Sequence, residues 1–194
     1  MPGRCLLNLN RILHKLNTLL ANLIYHVQMK PLSIFSLALF GCLSFSAMAE
    51  EGLSSAPLFA AQLWDMQDKP VNLETFRGKP LIVNFWARWC GPCRAEIPEL
   101  IKVRAKYKAK GLEVLGIGIE DKADPAREFA AAYEMDFPVV IAKEKGIPLM
   151  QALGNNRGGL PYTVVIDRQG NVLSSKMGMM KKSDLEAAAA ALLK

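Results

Sequence analysis

Two cysteines separated by a glycine and a proline, in Trp89-Cys90-Gly91-Pro92-Cys93, constrain this 194-residue chain more than any other feature. Before them, Leu81-Ile82-Val83-Asn84-Phe85-Trp86 is a β-branched and aromatic run that reads as a buried strand. After them, the charged, periodic stretch from Arg94 to Lys110 reads as a helix starting beside Cys93. Ile97, Leu100, Ile101 and Val103 form its apolar side, and Lys102, Arg104, Lys106, Lys108 and Lys110 face water. The pair therefore falls on a strand-to-helix turn. Unpaired amides at a helix start favour negative charge, and the thiolate is the form that attacks a disulfide. Cys90 is the expected exposed nucleophile, forming a mixed disulfide with substrate. Cys93, one turn deeper, then attacks Cys90 and releases reduced substrate. Gly91 permits close approach, and Pro92 suits a first helical turn, where a missing amide hydrogen costs little.

A C-x-x-C pair can also be half of a zinc site, a haem attachment or a structural bridge. The chain has four cysteines and two histidines, and Cys5, Cys42, His14 and His26 all precede residue 50. The remainder keeps only Cys90 and Cys93, with no second pair of soft ligands for zinc and no histidine for a Cys-His or Ser-His pair. A c-type haem attachment needs histidine where Arg94 stands. A bridge over so small a loop adds little stability. No metal and no cofactor are expected.

The formal charge of +6 suggests nucleic acid until it is divided along the chain. Of 24 lysines and arginines, Arg4, Arg11, Lys15 and Lys30 lie in the first 49 residues, which carry no acidic residue; 20 basic against 18 acidic residues remain. A nearly neutral remainder without a dense basic cluster argues against a nucleic-acid partner.

From Met29 the sequence has a short basic region, an apolar run through Leu32, Ile34, Phe35, Leu37, Leu39 and Phe40, and Ala47-Met48-Ala49 before Glu50. This layout predicts a signal peptide over 29–49 with cleavage after Ala49. Two alternatives stay open. The run could remain as an uncut membrane anchor, although about 17 apolar residues is short for a span, or Cys42 could be lipidated. Residues 1–28 carry Leu9, Leu13, Leu16, Leu20, Leu23 and Val27 at helical spacing. They read as a basic amphipathic extension, or as an untranslated stretch upstream of a start at Met29. Residues 50–57 read as a linker and 58–194 as one domain.

Phe85-Trp86-Ala87 followed by Trp89-Cys90-Gly91-Pro92-Cys93 resembles the active-site signature of the thioredoxin superfamily. Arg94-Ala95-Glu96-Ile97-Pro98, and Gly159-Leu160-Pro161-Tyr162-Thr163-Val164-Val165-Ile166-Asp167, resemble its exported TlpA/ResA-like branch, which includes thioredoxins of cytochrome c maturation. The resemblance implies an α/β thioredoxin fold: a central mixed sheet flanked by helices, with an N-terminal β-hairpin and an inserted α-β element. It implies a cis-proline at Pro161 beside the cysteines, with Leu160 pairing with the substrate backbone, and a proton-carrying role for Glu96, whose alternative is a solvated carboxylate in the first helical turn. Trp89, Gly91, Pro92, Leu160 and Tyr162 are the expected substrate contacts. Asn84 stands where cytosolic thioredoxins carry a buried aspartate, and asparagine cannot take the proton that a Cys93 thiol must lose. Arg88 and Arg94 bracket the motif with positive charge and could favour the thiolate, or be solvated.

The remaining pattern fits that fold. Leu58 to Val71 reads as a lead-in hairpin turning at Asp68-Lys69-Pro70, with Val71-Asn72-Leu73 as its second strand. Leu112–Ile119 reads as a strand, Asp124–Tyr133 as a helix and Val139–Ile141 as a strand. Pro148–Leu153 reads as a short helix, Thr163–Ile166 and Val172–Lys176 as a hairpin, and Asp184–Leu193 as a closing helix. Met177, Met179 and Met180 read as packing or partly exposed residues, not ligands.

The leading function is a monomeric, periplasmic enzyme that reduces disulfides of exported proteins, fed by a membrane electron donor of the DsbD type that the resemblance implies. The same residues could serve an oxidase or isomerase, because partners and compartment set the direction of flow. A non-enzymatic binding or chaperone module on the same scaffold is the third reading.

Overall fold

The computed structural model describes residues 52–194. The extension over 1–28, the signal peptide over 29–49 and the first linker residues lie outside the described residues. The chain enters through a short helix α1 (Ala56–Ala60) and a hairpin of β1 (Gln62–Trp64) and β2 (Pro70–Asn72). It continues through β3 (Leu81–Trp86), α2 (Gly91–Tyr107), β4 (Glu113–Gly118), α3 (Ala123–Ala132), β5 (Val139–Ile141), α4 (Gly146–Ala152), β6 (Tyr162–Ile166), β7 (Val172–Met177) and α5 (Lys182–Leu192).

Among the described residues, seven strands form one mixed sheet in the order β2-β1-β5-β4-β3-β6-β7. β3 pairs in parallel with β4, and β4 with β5, whereas β6 is antiparallel to β3 and β7 antiparallel to β6. β3, apolar at every position but Asn84, is buried at all six, as a strand covered on both faces requires. One face, carrying Val83, Phe85, Leu115 and Val164, packs against Leu58 of α1, Phe76 and Leu149 of α4. The other, with Ile82, Val114 and Val165, packs against Leu100 and Val103 of α2 and Leu185 and Leu192 of α5. The expected inserted element is α3 and β5, and β5 lies between β4 and the lead-in hairpin. The sheet ends on one side at β2, three residues beginning with Pro70, and on the other at β7, with a register irregularity between Val165 and Ile166 of its partner.

Several boundaries differ from the sequence reading. Residues 56–60, expected in the linker and the first hairpin strand, are helical. Pro57 suits a first turn, and adjacent Leu58 and Phe59 are both buried, which strand alternation would not allow on one face. The linker stops short of 57, because Ser54 bridges to Asn171 and Ser55 is buried. Leu73, expected in the second hairpin strand, starts a 3-10 turn (Leu73–Phe76) that Asn72 caps by accepting from the Glu74 amide at 3.0 Å.

Arg104 is a further correction. Expected on the solvated side of α2 with its lysine neighbours, it is 5% exposed. Its guanidinium donates to Glu113 at 2.5 Å and to the Asp136 carbonyl at 2.8 Å, and meets the Asp136 carboxylate at 3.1 Å. The planar fork of arginine reaches two acceptors across the start of β4, which a lysine ammonium cannot do in the same geometry.

Candidate active site

β3 delivers the chain to the turn and α2 takes it away, so the cysteines sit where strand meets helix. Cys90 is the N-cap of α2, with extended backbone, and its sulfur accepts the Cys93 amide at 3.2 Å. Pro92 occupies the first turn, as its missing amide hydrogen permits. The two cysteines form a disulfide with Cα atoms 5.3 Å apart. Cys90 is 5% exposed and Cys93 1%. Cys90 is thus the more accessible of the two residues, but far more covered than the exposed nucleophile the sequence predicts. Both cysteines belong to an apolar cluster with Met66, Trp86 and Ala87, against which Leu160 packs.

Trp89 stands 71% exposed beside the bridge, and Gly91 and Pro92 are also exposed. The Leu160-Pro161 bond is cis. The Pro161 carbonyl accepts the Gly178 amide at 2.8 Å, whereas the Leu160 backbone groups have no hydrogen-bond partner among the described residues. Tyr162 departs from its expected place as a substrate contact. It is 2% exposed, its ring tilts against Phe85 at 6.0 Å, and its hydroxyl donates to the Leu153 carbonyl. Alternation along β6 turns it into the core, away from the face that carries Thr163.

Behind the bridge, Glu96 lies one helical turn past Cys93 and is 1% exposed. The solvated-carboxylate alternative is excluded by that burial. Asn84 Nδ2 donates to Glu96 Oε1 at 2.9 Å and to Thr163 Oγ1 at 3.0 Å. The Thr163 hydroxyl lies 3.3 Å from Glu96 Oε1, and the Met180 amide donates to Oε2 at 3.1 Å. Burial pushes the Glu96 carboxyl up to about 7, against the opposing pull of the Met180 amide, the Thr163 hydroxyl and the Lys176 charge; Asp184 adds to the rise. A carboxyl so placed exchanges protons near neutral pH.

Sequence reasoning missed Glu120. It is 7% exposed, accepts the Arg88 amide at 2.7 Å and pairs with the Arg88 guanidinium at 3.1 Å. One of the two positive charges beside the motif is therefore neutralised, and Arg94 remains exposed. Glu120 lies just after β4, where no motif or periodicity marks it. Gly116 and Gly118 make room for Trp86: a Cβ at Gly116 would meet Trp86 Nε1 at 3.2 Å and Phe137 at 2.9 Å, and one at Gly118 would meet Trp86 at 3.3 Å. Among the described residues no three His, Cys, Asp or Glu side chains converge as metal ligands, and no helix is long and apolar enough to cross a membrane. What the arrangement can do is open and close a disulfide at a helix start, with a proton store one turn away.

The chain is similar to known proteins in sequence and fold. The redoxin family profile matches residues 53–192. The thiol-disulfide oxidoreductase ResA of Geobacillus kaustophilus is 34% identical over 133 residues, covering 69% of this chain and 73% of the relative. ResA of Bacillus anthracis is 33% identical over 122 residues, covering 63% and 68%. Among solved structures, a putative thiol:disulfide interchange protein DsbE from Chlorobium tepidum is similar with a TM-score of 0.60 at 31% identity, over 68% of this chain and 92% of that one.

Proposed function

The chain belongs to the redoxin family as a ResA-like thiol:disulfide oxidoreductase, and on that footing we propose that it reduces disulfides of exported proteins through Cys90 and Cys93. The observation that carries this reading is the unequal placement of the two cysteines: Cys90, the more accessible residue, caps the helix, and its sulfur accepts the Cys93 amide at 3.2 Å.

In the reduced enzyme, the Cys90 thiolate attacks one sulfur of a substrate disulfide. The substrate's S–S bond breaks, a mixed disulfide forms, and one substrate thiolate leaves and takes a proton from water. The Cys93 thiol then gives its proton to the Glu96 carboxylate and attacks Cys90. The enzyme bridge closes, the second substrate thiolate leaves and is protonated, and two electrons have passed to the substrate. Leu160, with its backbone groups unpartnered among the described residues beside cis-Pro161, is suited to pair with the substrate chain, and exposed Trp89 offers it an apolar contact. Asn84 orients the Glu96 carboxyl and leaves it as the proton acceptor.

The signal peptide over 29–49 would place the enzyme in the periplasm, or hold it at the membrane if uncut. The electron donor is then a membrane reductant of the DsbD type, and the clients include cysteine proteins of cytochrome c maturation or a related pathway. The test of roles is trapping: Cys93→Ser accumulates mixed disulfides through Cys90, and Cys90→Ser accumulates none. Equal trapping by both variants refutes the assignment. Direction is tested by redox titration against glutathione. A potential near that of thioredoxin, about −270 mV, supports a reductant, and one near that of DsbA, about −120 mV, makes the protein an oxidase.

A further inference from the structure

We propose that Gly178 is a positioning residue for thiol exchange: its left-handed backbone turn lets one short loop hold Pro161 through the Gly178 amide and Glu96 through the Met180 amide at once. The inference rests on the reading of Glu96 as the acceptor of the Cys93 proton.

The loop joins the end of β7 to the start of α5, and two of its amides point into the domain. Gly178 N donates to the Pro161 carbonyl at 2.8 Å, and Met180 N donates to Glu96 Oε2 at 3.1 Å. A single residue separates the two donors, so a slip in register would take Met180 off the carboxylate. The loop is fixed at both ends. Met177 lies against the backbone of Gly159, where a Cβ would come within 2.7 Å of its sulfur. Lys176 and Asp184 pair at 2.6 Å across the loop, and Asp184 also accepts the Lys181 amide at 3.0 Å. The buried Met180 side chain anchors the middle in the core between α2 and α5.

Gly178 has φ of 92°, which side-chain-bearing residues rarely adopt. Nothing lies within 4 Å of where its Cβ would be, so the requirement for glycine there is conformational and not steric. The backbone at this one position thus ties the cis-proline, where substrate would dock, to the buried proton acceptor. The charged groups facing Glu96 are Lys176 from β7 and Asp184 from α5. Asn84 from β3 and Thr163 from β6 supply neutral contacts, and Cys93 lies on its own helix. Weakening the Met180 amide contact removes a donor that favours the carboxylate, so Glu96 would hold its proton to higher pH.

The test is a series graded by tolerance of positive φ at constant free space: Gly178→Asn, Gly178→Ala and Gly178→Thr, each made in the full chain with and without Glu96→Gln. The readout is the pH profile of insulin-disulfide reduction, with chemical unfolding as the check on folding. Asparagine, which tolerates the left-handed region, keeps the wild-type midpoint. Alanine and then threonine move it to higher pH, by on the order of one pH unit for threonine, the effect of losing one hydrogen bond to a charged group. In the Glu96→Gln background the Gly178 changes move nothing further. If the threonine variant does not fold, alanine against asparagine carries the comparison. A midpoint unmoved by the Gly178 changes while Glu96→Gln alters the profile overturns this inference alone, as does an equal shift in the Glu96→Gln background. A Glu96→Gln protein with the wild-type profile overturns the Glu96 reading and this inference with it.

Discussion

The Asn84 carboxamide donates to the buried Glu96 carboxyl at 2.9 Å, from the strand that leads into the cysteines to the helix that leads out of them. An amide there can orient a carboxyl but cannot exchange protons with it, so of this pair Glu96 is the group that titrates. Its environment holds it near neutrality, with burial outweighing the donors around it.

Glu96→Gln keeps the volume and removes the titration. Disulfide reduction at pH 7 is expected to slow roughly 100-fold, at the low end of what a positioned acid-base group contributes, and the inflection near neutral pH to disappear. Stopped-flow measurement of the resolving step over pH 5 to 9 checks this; a retained inflection would assign it to another group.

The same carboxyl links stability to pH. Its folded-state value, about 7, lies above the ordinary 4.5, so the folded protein binds more protons between those limits. The stabilisation it contributes is fully present below about pH 4.5 and is lost as pH rises through 7, by on the order of 3 kcal/mol for a carboxyl this well buried. Urea unfolding of the oxidised protein and of Glu96→Gln at pH 5 and pH 8 measures it. The difference between the two proteins should change by that amount in favour of the variant at pH 8, and parallel pH dependence would refute it.

Arg104→Met leaves Glu113 partly buried without its partner and should destabilise the domain by about 3 kcal/mol. Lys102→Met, on the same helix but exposed, should cost less than about 0.5 kcal/mol. Equal unfolding midpoints for the two variants would return Arg104 to the surface role that its sequence neighbours suggest.

Trp89→Ala should change stability by less than about 0.5 kcal/mol, because the indole is exposed. If Trp89 contacts client proteins, kcat/KM toward insulin falls roughly tenfold while the rate with a small aliphatic disulfide holds, the loss expected of an aromatic anchor. Equal losses for both substrates would locate the effect at the sulfurs.

The strand Leu81–Trp86, the helix after it and the cis bond at Pro161 were legible because each is carried by a local run or motif. The pocket around Glu96 was only half legible. The resemblance marked Glu96 as a carboxyl near the cysteines, but Thr163 and Met180 come from 67 and 84 residues away, and the antiparallel return of β6 beside β3 brings them in. Tyr162 shows how one position decides a face: its motif neighbour Leu160 packs against the cluster that holds the cysteines, yet strand alternation buries the Tyr162 ring in the core. Arg104 was obscured by the lysines around it, since a charge pattern does not record which side chain finds an acid across the sheet. Leu58 and Phe59 read as part of the lead-in hairpin because a short apolar run does not separate strand from helix, and burial of both marks the helix.

Both borders of the sheet are built to refuse an eighth strand. On one side, β2 is three residues long and opens with Pro70, which has no amide hydrogen to offer. On the other, a newcomer aligning with β7 would meet Lys176, already engaged by Asp184, next to a partner strand whose register is broken. An open strand edge is a template on which another chain can add and aggregate. If Leu160 pairs with the substrate chain as proposed, these blunted margins leave the short stretch before Pro161 as the place where a foreign backbone would be gripped and then let go.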